Sequence, residues 1–348
     1  MLPMRTHLRN SPAQRSLARR EIPSSFQACR AAPALCGLVV FLAGAPLWAG
    51  PAEFNGRWNL TVEGDNRGRV WWLEVEGAGT PNLHGRFVGA PGGQMDVIPK
   101  MYFDGAELVW EFERAYQPNE KNTQRARGVY RAREANGVLT GSFDIAGRNA
   151  RLVFTGKRAP VLEETSKGRW TKGKPVELFN GRDMSGWEVR IPGREMDWKV
   201  EDGLMKNGAR APDITSAQKF WNFLLHVEYK VAQKSNSGIG LRGRYEIQIY
   251  GDHGEAPSLH SNGALYSRIA PAVNATLAPQ EWQVFDITLI GRELTVVLNG
   301  KTLIDRREVE GLTAMATDPN EDQPGPITLQ GDHGPVAFRK ITVTPLTK

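Results

Sequence analysis

The stretch Asn236-Ser-Gly-Ile-Gly-Leu-Arg-Gly-Arg-Tyr-Glu-Ile-Gln-Ile-Tyr-Gly-Asp-His253 alternates in character. From Arg242 onward, one set of alternate positions reads Arg242, Arg244, Glu246, Gln248, Tyr250 and Asp252. The other set holds Tyr245, Ile247 and Ile249. Side chains along a strand point to opposite faces with period two. The pattern therefore predicts a strand or strand pair with an apolar face turned to a core. Its other face would carry cations, a carboxylate, an amide and a phenol in a row. A solvated face is usually simpler, built from Lys, Thr, Ser and Glu. A row this mixed can hold many hydroxyls at once, as a sugar requires.

The same period extends outward. After residue 175, strand-like runs fall at 176–179, 198–201, 204–207, 223–231, 237–250, 264–267, 283–290, 293–298, 301–306, 327–330 and 336–344. Asn299-Gly300 supplies the positive φ of a tight hairpin. Eleven strands at this density fit a two-sheet jelly roll. Ahead of it, residues 52–159 show shorter runs at 57–63, 69–76, 82–88, 107–113, 128–133, 138–143 and 150–156, separated by Gly, Asn, Asp and Pro turns. These predict a small antiparallel β-barrel or sandwich, acting as a spacer or a lid, with Trp58, Trp71, Trp72 and Trp110 as core or barrel-mouth aromatics. Residues 160–175 read as a polar linker. The whole chain is thus expected to be all-β, in two domains, which suits 348 residues with 37 Gly and 22 Pro.

The net charge of +6 misleads, because residues 1–49, with six arginines and Glu21, hold five of those six charges. No basic patch remains to argue for nucleic acid. Residues 1–49 read as a secretory signal. The arginines are followed by an apolar run at 34–45, too short for a membrane span, and by Leu47-Trp48-Ala49 as a cleavage site. The expectation is export to the periplasm or the medium, with no membrane span after signal removal. Both cysteines, Cys29 and Cys36, fall in this leader. The exported chain would have neither a thiol nucleophile nor a thiolate metal site.

Several ordered blocks are similar to the 3-keto-disaccharide hydrolase family. They are Glu177-Leu-Phe-Asn-Gly-Arg-Asp-Met-Ser-Gly-Trp187, Trp198-Lys-Val-Glu-Asp-Gly203 and the opening stretch from Asn236 to Gln248. Gly263-Ala-Leu-Tyr266 with Ala270-Pro271, Glu281-Trp282 with Asp286, and Leu298-Asn-Gly300 follow in order. Ile327-Thr-Leu-Gln-Gly-Asp-His-Gly334 with Phe338-Arg339 completes the set. The resemblance covers residues 176–347. It implies a concanavalin- or laminarinase-like jelly roll acting on glycosides already oxidised to a ketone at C3.

A ketone at C3 acidifies the proton on C2. A base can remove that proton, the C1 oxygen leaves by β-elimination, and water adds back. Such a site needs a base near C2, a donor to the ketone oxygen and an acid for the leaving oxygen. The paired carboxylates of ordinary glycosidases are not required. Glu246, Asp252 and His253 are the catalytic candidates, with Glu246 or a nearby histidine as the base. Arg242 and Arg244 would attend the ketone or enolate oxygen. Gln248, Tyr250, His260, Tyr266, Gln330, Asp332 and His333 would bind the substrate. Asp332-His333-Gly echoes Asp252-His253-Gly, so the two turns are either walls of one cleft or two unrelated turns. The blander readings are an Arg–Glu pair sealing a sheet face, Asp252 as a turn cap, and Trp282 as core rather than as a sugar platform. A divalent metal would stabilise an enediolate, with Glu246, Asp252, His253, His260 and His333 as suitable ligands. No histidine pair shows ligand spacing, so the sequence leaves the metal open. The rival to an enzyme is a non-catalytic carbohydrate-binding jelly roll.

Overall fold

The structure is a computed structural model and describes residues 50–348 apart from 66–67, 90–92, 120–121, 146–150 and 209. The signal expected at 1–49 and both cysteines lie outside the described residues. Among the described residues the chain is nearly all β, with one short 3₁₀ turn at Pro51–Phe54. No helix there is long and apolar enough to cross a membrane.

Nine strands between Gly56 and Arg158 form an up-and-down antiparallel sheet. The first, Gly56–Glu63, pairs with both the second, Val70–Glu76, and the last, Arg151–Arg158. The sheet therefore wraps into a barrel, left open between Met95–Val97 and Lys100–Asp104. These two short edge strands escaped the sequence reading. The barrel is filled with aromatics: Trp110 stacks on Tyr130 at 5.1 Å, and Tyr130 on Phe143 at 4.4 Å.

Strand alternation explains the adjacent tryptophans of Val70–Glu76. Trp71, Leu73 and Val75 point into the barrel core. Val70 and Trp72 point the other way, into the core of the jelly roll, as does Val88 on the neighbouring strand. Trp72 lies between the guanidiniums of Arg268, at 4.2 Å, and Arg86, at 5.7 Å. A Cβ on Gly311 would sit 2.0 Å from the Trp72 indole nitrogen, so the backbone there approaches as only glycine permits. Charges seal the junction: Arg57 pairs with Glu308 at 2.8 Å and Arg86 with Glu310 at 2.7 Å. Deeper, fully buried Glu321 accepts from Asn59 at 2.7 Å, Tyr245 at 2.7 Å and both terminal nitrogens of Arg292 at 2.8 Å. The expected spacer or lid is thus packed firmly onto the jelly roll.

The remainder is a two-sheet jelly roll. One sheet runs Trp198–Glu201, Leu204–Asn207, Val336–Thr347, Phe223–Val231, Gln283–Ile290, Glu293–Leu298 and Lys301–Glu308 in spatial order. Thr171–Lys172 and Val176–Glu177 add to its Val336–Thr347 strand. The other sheet runs Trp187–Val189, Ile214–Phe220, Gly325–Leu329, Asn236–Leu241 and Tyr245–Tyr250. Phe223–Val231 alternates buried and partly exposed along its whole length, as a strand with one core face must. Tyr245, Ile247 and Ile249 are fully buried in the same core, so the apolar half of the opening stretch reads correctly. The hairpin at Asn299-Gly300 has the expected positive φ at both residues.

Candidate active site

The five-stranded sheet builds the site by register. Residues directly opposite in an antiparallel sheet share a face. Val189 pairs with Ile214, Ile214 with Leu329, Ile239 with Leu329, and Gly238 with Gln248. One residue further along each ladder, Arg190, Asp213, Gln330, Gly238 and Gln248 form a transverse row on the face away from the core. Two residues along, Gly240 faces Glu246. The glycines clear the space that these side chains use. A Cβ on Gly238 would lie 2.7 Å from Glu246 Oε1 and 3.0 Å from Met315 Cε. A Cβ on Gly240 would lie 2.6 Å from Met315 Sδ.

The row floors a cleft of about 380 Å³, within the size range of small-ligand sites, about 300–1,000 Å³. Arg190, Asp213, Asp332 and His333 stand at one end, and Ala314, Met315, Gly93 and Arg69 at the other. Tyr266 and Asn236 complete the lining.

Glu246 is only 3% exposed. Its backbone N–H donates to Thr313 Oγ1 at 3.0 Å, and its carbonyl accepts from Tyr266 N at 2.9 Å. Gln330 Nε2 lies 3.5 Å from its Oε1. Burial pushes the Glu246 pKa up to about 8; His333 opposes the rise, while Asp213 and Asp332 add to it. The carboxyl is therefore mostly protonated at neutral pH, as suits a proton donor.

His333 bonds Asp332 through Nδ1. That bond is the main cause of its raised pKa. The arrangement fixes the imidazole and leaves Nε2 as a basic nitrogen. Arg190 pairs with Asp213 at 2.9 Å, and Asp213 also accepts from Gly331 N at 3.0 Å. Burial raises the Asp213 pKa, and Arg190 opposes it. Gln248 Nε2 donates to Asn236 Oδ1 at 3.1 Å. The side-chain amide oxygens of Gln248 and Gln330 are buried with no partner among the described residues. Two orphan acceptors in a polar cleft suit the hydroxyls of a sugar.

Six residues singled out from sequence thus meet in the cleft: Glu246, Gln248, Tyr266, Gln330, Asp332 and His333. The others are placed elsewhere. Arg242 and Arg244 do not continue the polar row, because the strand breaks there into a hairpin with positive φ at Arg242 and Gly243. Arg242 stacks on Trp221 at 3.9 Å and donates to its carbonyl at 2.7 Å. Arg244 is spent on Gln323 O, at 2.8 Å, and on Asp318. Asp252 is a buried loop clamp, accepting from Asn262 N at 3.0 Å and Thr276 Oγ1 at 2.7 Å. His253 bonds Thr276 O at 2.8 Å. Of the two Asp-His-Gly turns, only that of Asp332 lines the cleft. Tyr250 lies opposite Asn236 under Lys234. His260 packs edge-on against Tyr266 at 5.0 Å. Trp282 lies between Lys230 and Arg339, outside the cleft. Among the described residues, no three His, Cys, Asp or Glu side chains gather as a metal site. Sequence reasoning missed Arg190, Asp213, Met315, Arg69 and Gly93, since their place depends on pairings that no local pattern specifies.

The cleft is a polar pocket on one sheet of a jelly roll. Residues 174–344 match the model of the 3-keto-alpha-glucoside-1,2-lyase-like domain. The chain is 35% identical over 77 residues to a 3-keto-disaccharide hydrolase of Bacteroides thetaiotaomicron. That stretch is 18% of this chain and 26% of the relative, so the match spans about a quarter of the relative's length. A solved candidate glycosyl hydrolase from Parabacteroides distasonis is 28% identical, with a TM-score of 0.43 over 53% of this chain and 94% of its own. The β-glucanase of Bacillus licheniformis is 12% identical, with a TM-score of 0.32 over 51% of this chain and 99% of its own.

Proposed function

We propose that this protein cleaves glycosides oxidised at C3, by elimination across C1–C2 followed by hydration. The observation that carries the reading is a buried Glu246 facing a cleft that also holds an Asp332-oriented His333. One group can give a proton and the other can take one, which are the two roles the reaction demands.

His333 Nε2 takes the proton from C2. The electron pair forms the C1–C2 double bond, conjugated with the C3 ketone, and the C1–O bond breaks. The Glu246 carboxyl gives its proton to the leaving oxygen. Water then adds at C1, losing its proton to Glu246, and His333 returns a proton to C2. The products are the 3-keto sugar and the free alcohol, with no net oxidation. Charge developing on the ketone oxygen falls at the end of the cleft where Arg190 stands. Gln248 and Gln330 accept from the ring hydroxyls.

The test uses purified protein with 3-keto-trehalose and the 3-keto nitrophenyl glucoside. Turnover of both is expected. Glu246→Gln should cost about 100-fold or more on the disaccharide and much less on the nitrophenyl substrate, whose leaving group needs little acid assistance. Binding without turnover by the wild type would sink the reading and leave a carbohydrate-binding protein. The arginine-rich leader fits export, which cell fractionation tests.

A further inference from the structure

The family-matched segment starts at residue 174, yet that segment alone does not close the cleft. Arg69 and Gly93, from the loops of the N-terminal barrel, line it too. The cleft has two unlike ends. The end at Arg190, Asp213, Asp332 and His333 is charged. The other end is a methyl, a thioether and a glycine backbone, capped by one guanidinium. Met315 begins this second end directly beside Glu246, over the two glycines. Ala314 follows it and faces Gly93, where an added Cβ would lie 3.2 Å from the Ala314 Cβ.

The contact is fixed rather than hinged. Val70 N donates to Ala316 O at 3.0 Å, and Met95 N to Ser267 Oγ at 2.8 Å. Thr313, in the same loop, holds the Glu246 backbone from the other side.

We propose that loops of the N-terminal barrel supply the leaving-group subsite of this cleft. The departing alcohol carries a six-membered ring, either a second sugar or a phenol. The ring lays its apolar face on Gly93, Ala314 and Met315 and turns its oxygens to Arg69. The keto sugar, which develops charge, takes the Arg190 and His333 end. Its leaving oxygen then falls at Glu246, and the group beyond that oxygen falls on Met315. The inference rests on the keto-glycoside reading only for which part of the substrate lies there; the subsite itself is a matter of shape.

The test is therefore binding as well as turnover. An added Cβ at Gly93 would lie 3.2 Å from the Ala314 Cβ, so larger residues there are sterically graded probes of the contact. Titration calorimetry on the full chain would compare trehalose, nitrophenyl glucoside and methyl glucoside, none of which is oxidised. The ratio of affinity for either ring-bearing ligand over methyl glucoside should fall in the order Gly93→Ala, Gly93→Val, Gly93→Phe, by about tenfold at Phe. Arg69→Gln should lower the same ratio. A fall for trehalose alone assigns the subsite to a second sugar; a fall for the nitrophenyl ligand alone assigns it to a phenol. An unchanged ratio with melting temperature retained, or a wild type that prefers neither ring-bearing ligand to methyl glucoside, overturns the subsite. Graded binding without turnover of any 3-keto substrate would retain the subsite and refute the reaction.

Discussion

Replacing Glu246 with glutamine should change how stability depends on pH, as well as activity. A carboxyl with a pKa of 4.5 in the unfolded chain and about 8 in the cleft keeps its proton on folding. Between those values the native state binds one proton more than the unfolded state, so stability is full below pH 4.5 and is lost as pH rises through 8. The loss is about 1.4 kcal/mol per pH unit in that window, or about 3 to 4 kcal/mol from pH 5 to pH 8. Glutamine has nearly the same shape and no proton to lose. Asp213 and His333, whose pKa values are also raised, are present in both proteins and largely cancel in the comparison. Urea unfolding of wild type and Glu246→Gln at pH 5 and pH 8 measures the effect. The stability of the variant relative to wild type should grow by the stated amount as pH rises. A difference that stays flat to within about 1 kcal/mol, the order of the extrapolation error, would refute the buried, proton-holding carboxyl and with it the acid role.

In wild type, kcat/KM should be bell-shaped, rising as His333 loses its proton and falling as Glu246 loses its own near pH 8. Asp332→Asn removes the main support of the raised His333 pKa, so the rising limb should move to lower pH; an unmoved limb would exclude His333 as the base. Gly238→Ala puts a Cβ 2.7 Å from Glu246 Oε1. Displacing that carboxyl by about 1 Å should cost about 100-fold in kcat with little change in melting temperature, and a variant with unchanged kcat would show that the carboxyl's position does not matter to the reaction. Glu321→Gln leaves Arg292 buried without its counter-ion, and should destabilise by about 3 to 5 kcal/mol; denaturant unfolding showing under about 1 kcal/mol would mean that water reaches the pair.

The sequence carried the fold because alternation is local. Tyr245, Ile247 and Ile249 can share a face only in a strand, and Asn299-Gly300 can turn only one way. It carried Glu246 and Gln248 for the same reason. Arg242 and Arg244 misled because the alternation crosses a hairpin, where the period restarts. Ile214–Phe220 was missed because Ile-Thr-Ser-Ala-Gln-Lys-Phe is too polar to stand out. With it went Asp213, whose importance comes from lying opposite Gln330. Register between distant strands follows from which faces bury together, and a single strand does not state its partner. Trp71 and Trp72 read from the sequence only as core or barrel-mouth aromatics, and nothing local showed that Trp72 belongs to the second core.

The transverse row draws on Arg190, Asp213, Gly238, Gln248 and Gln330, five positions on or directly beside five strands scattered over most of the jelly roll. Contacts between residues so far apart in sequence form late and slowly, since long loops must close before they are rewarded. The cleft is thus among the last features to be completed as the chain folds. Recovered substrate binding reports closure of the whole sheet, whereas recovered strand content alone does not.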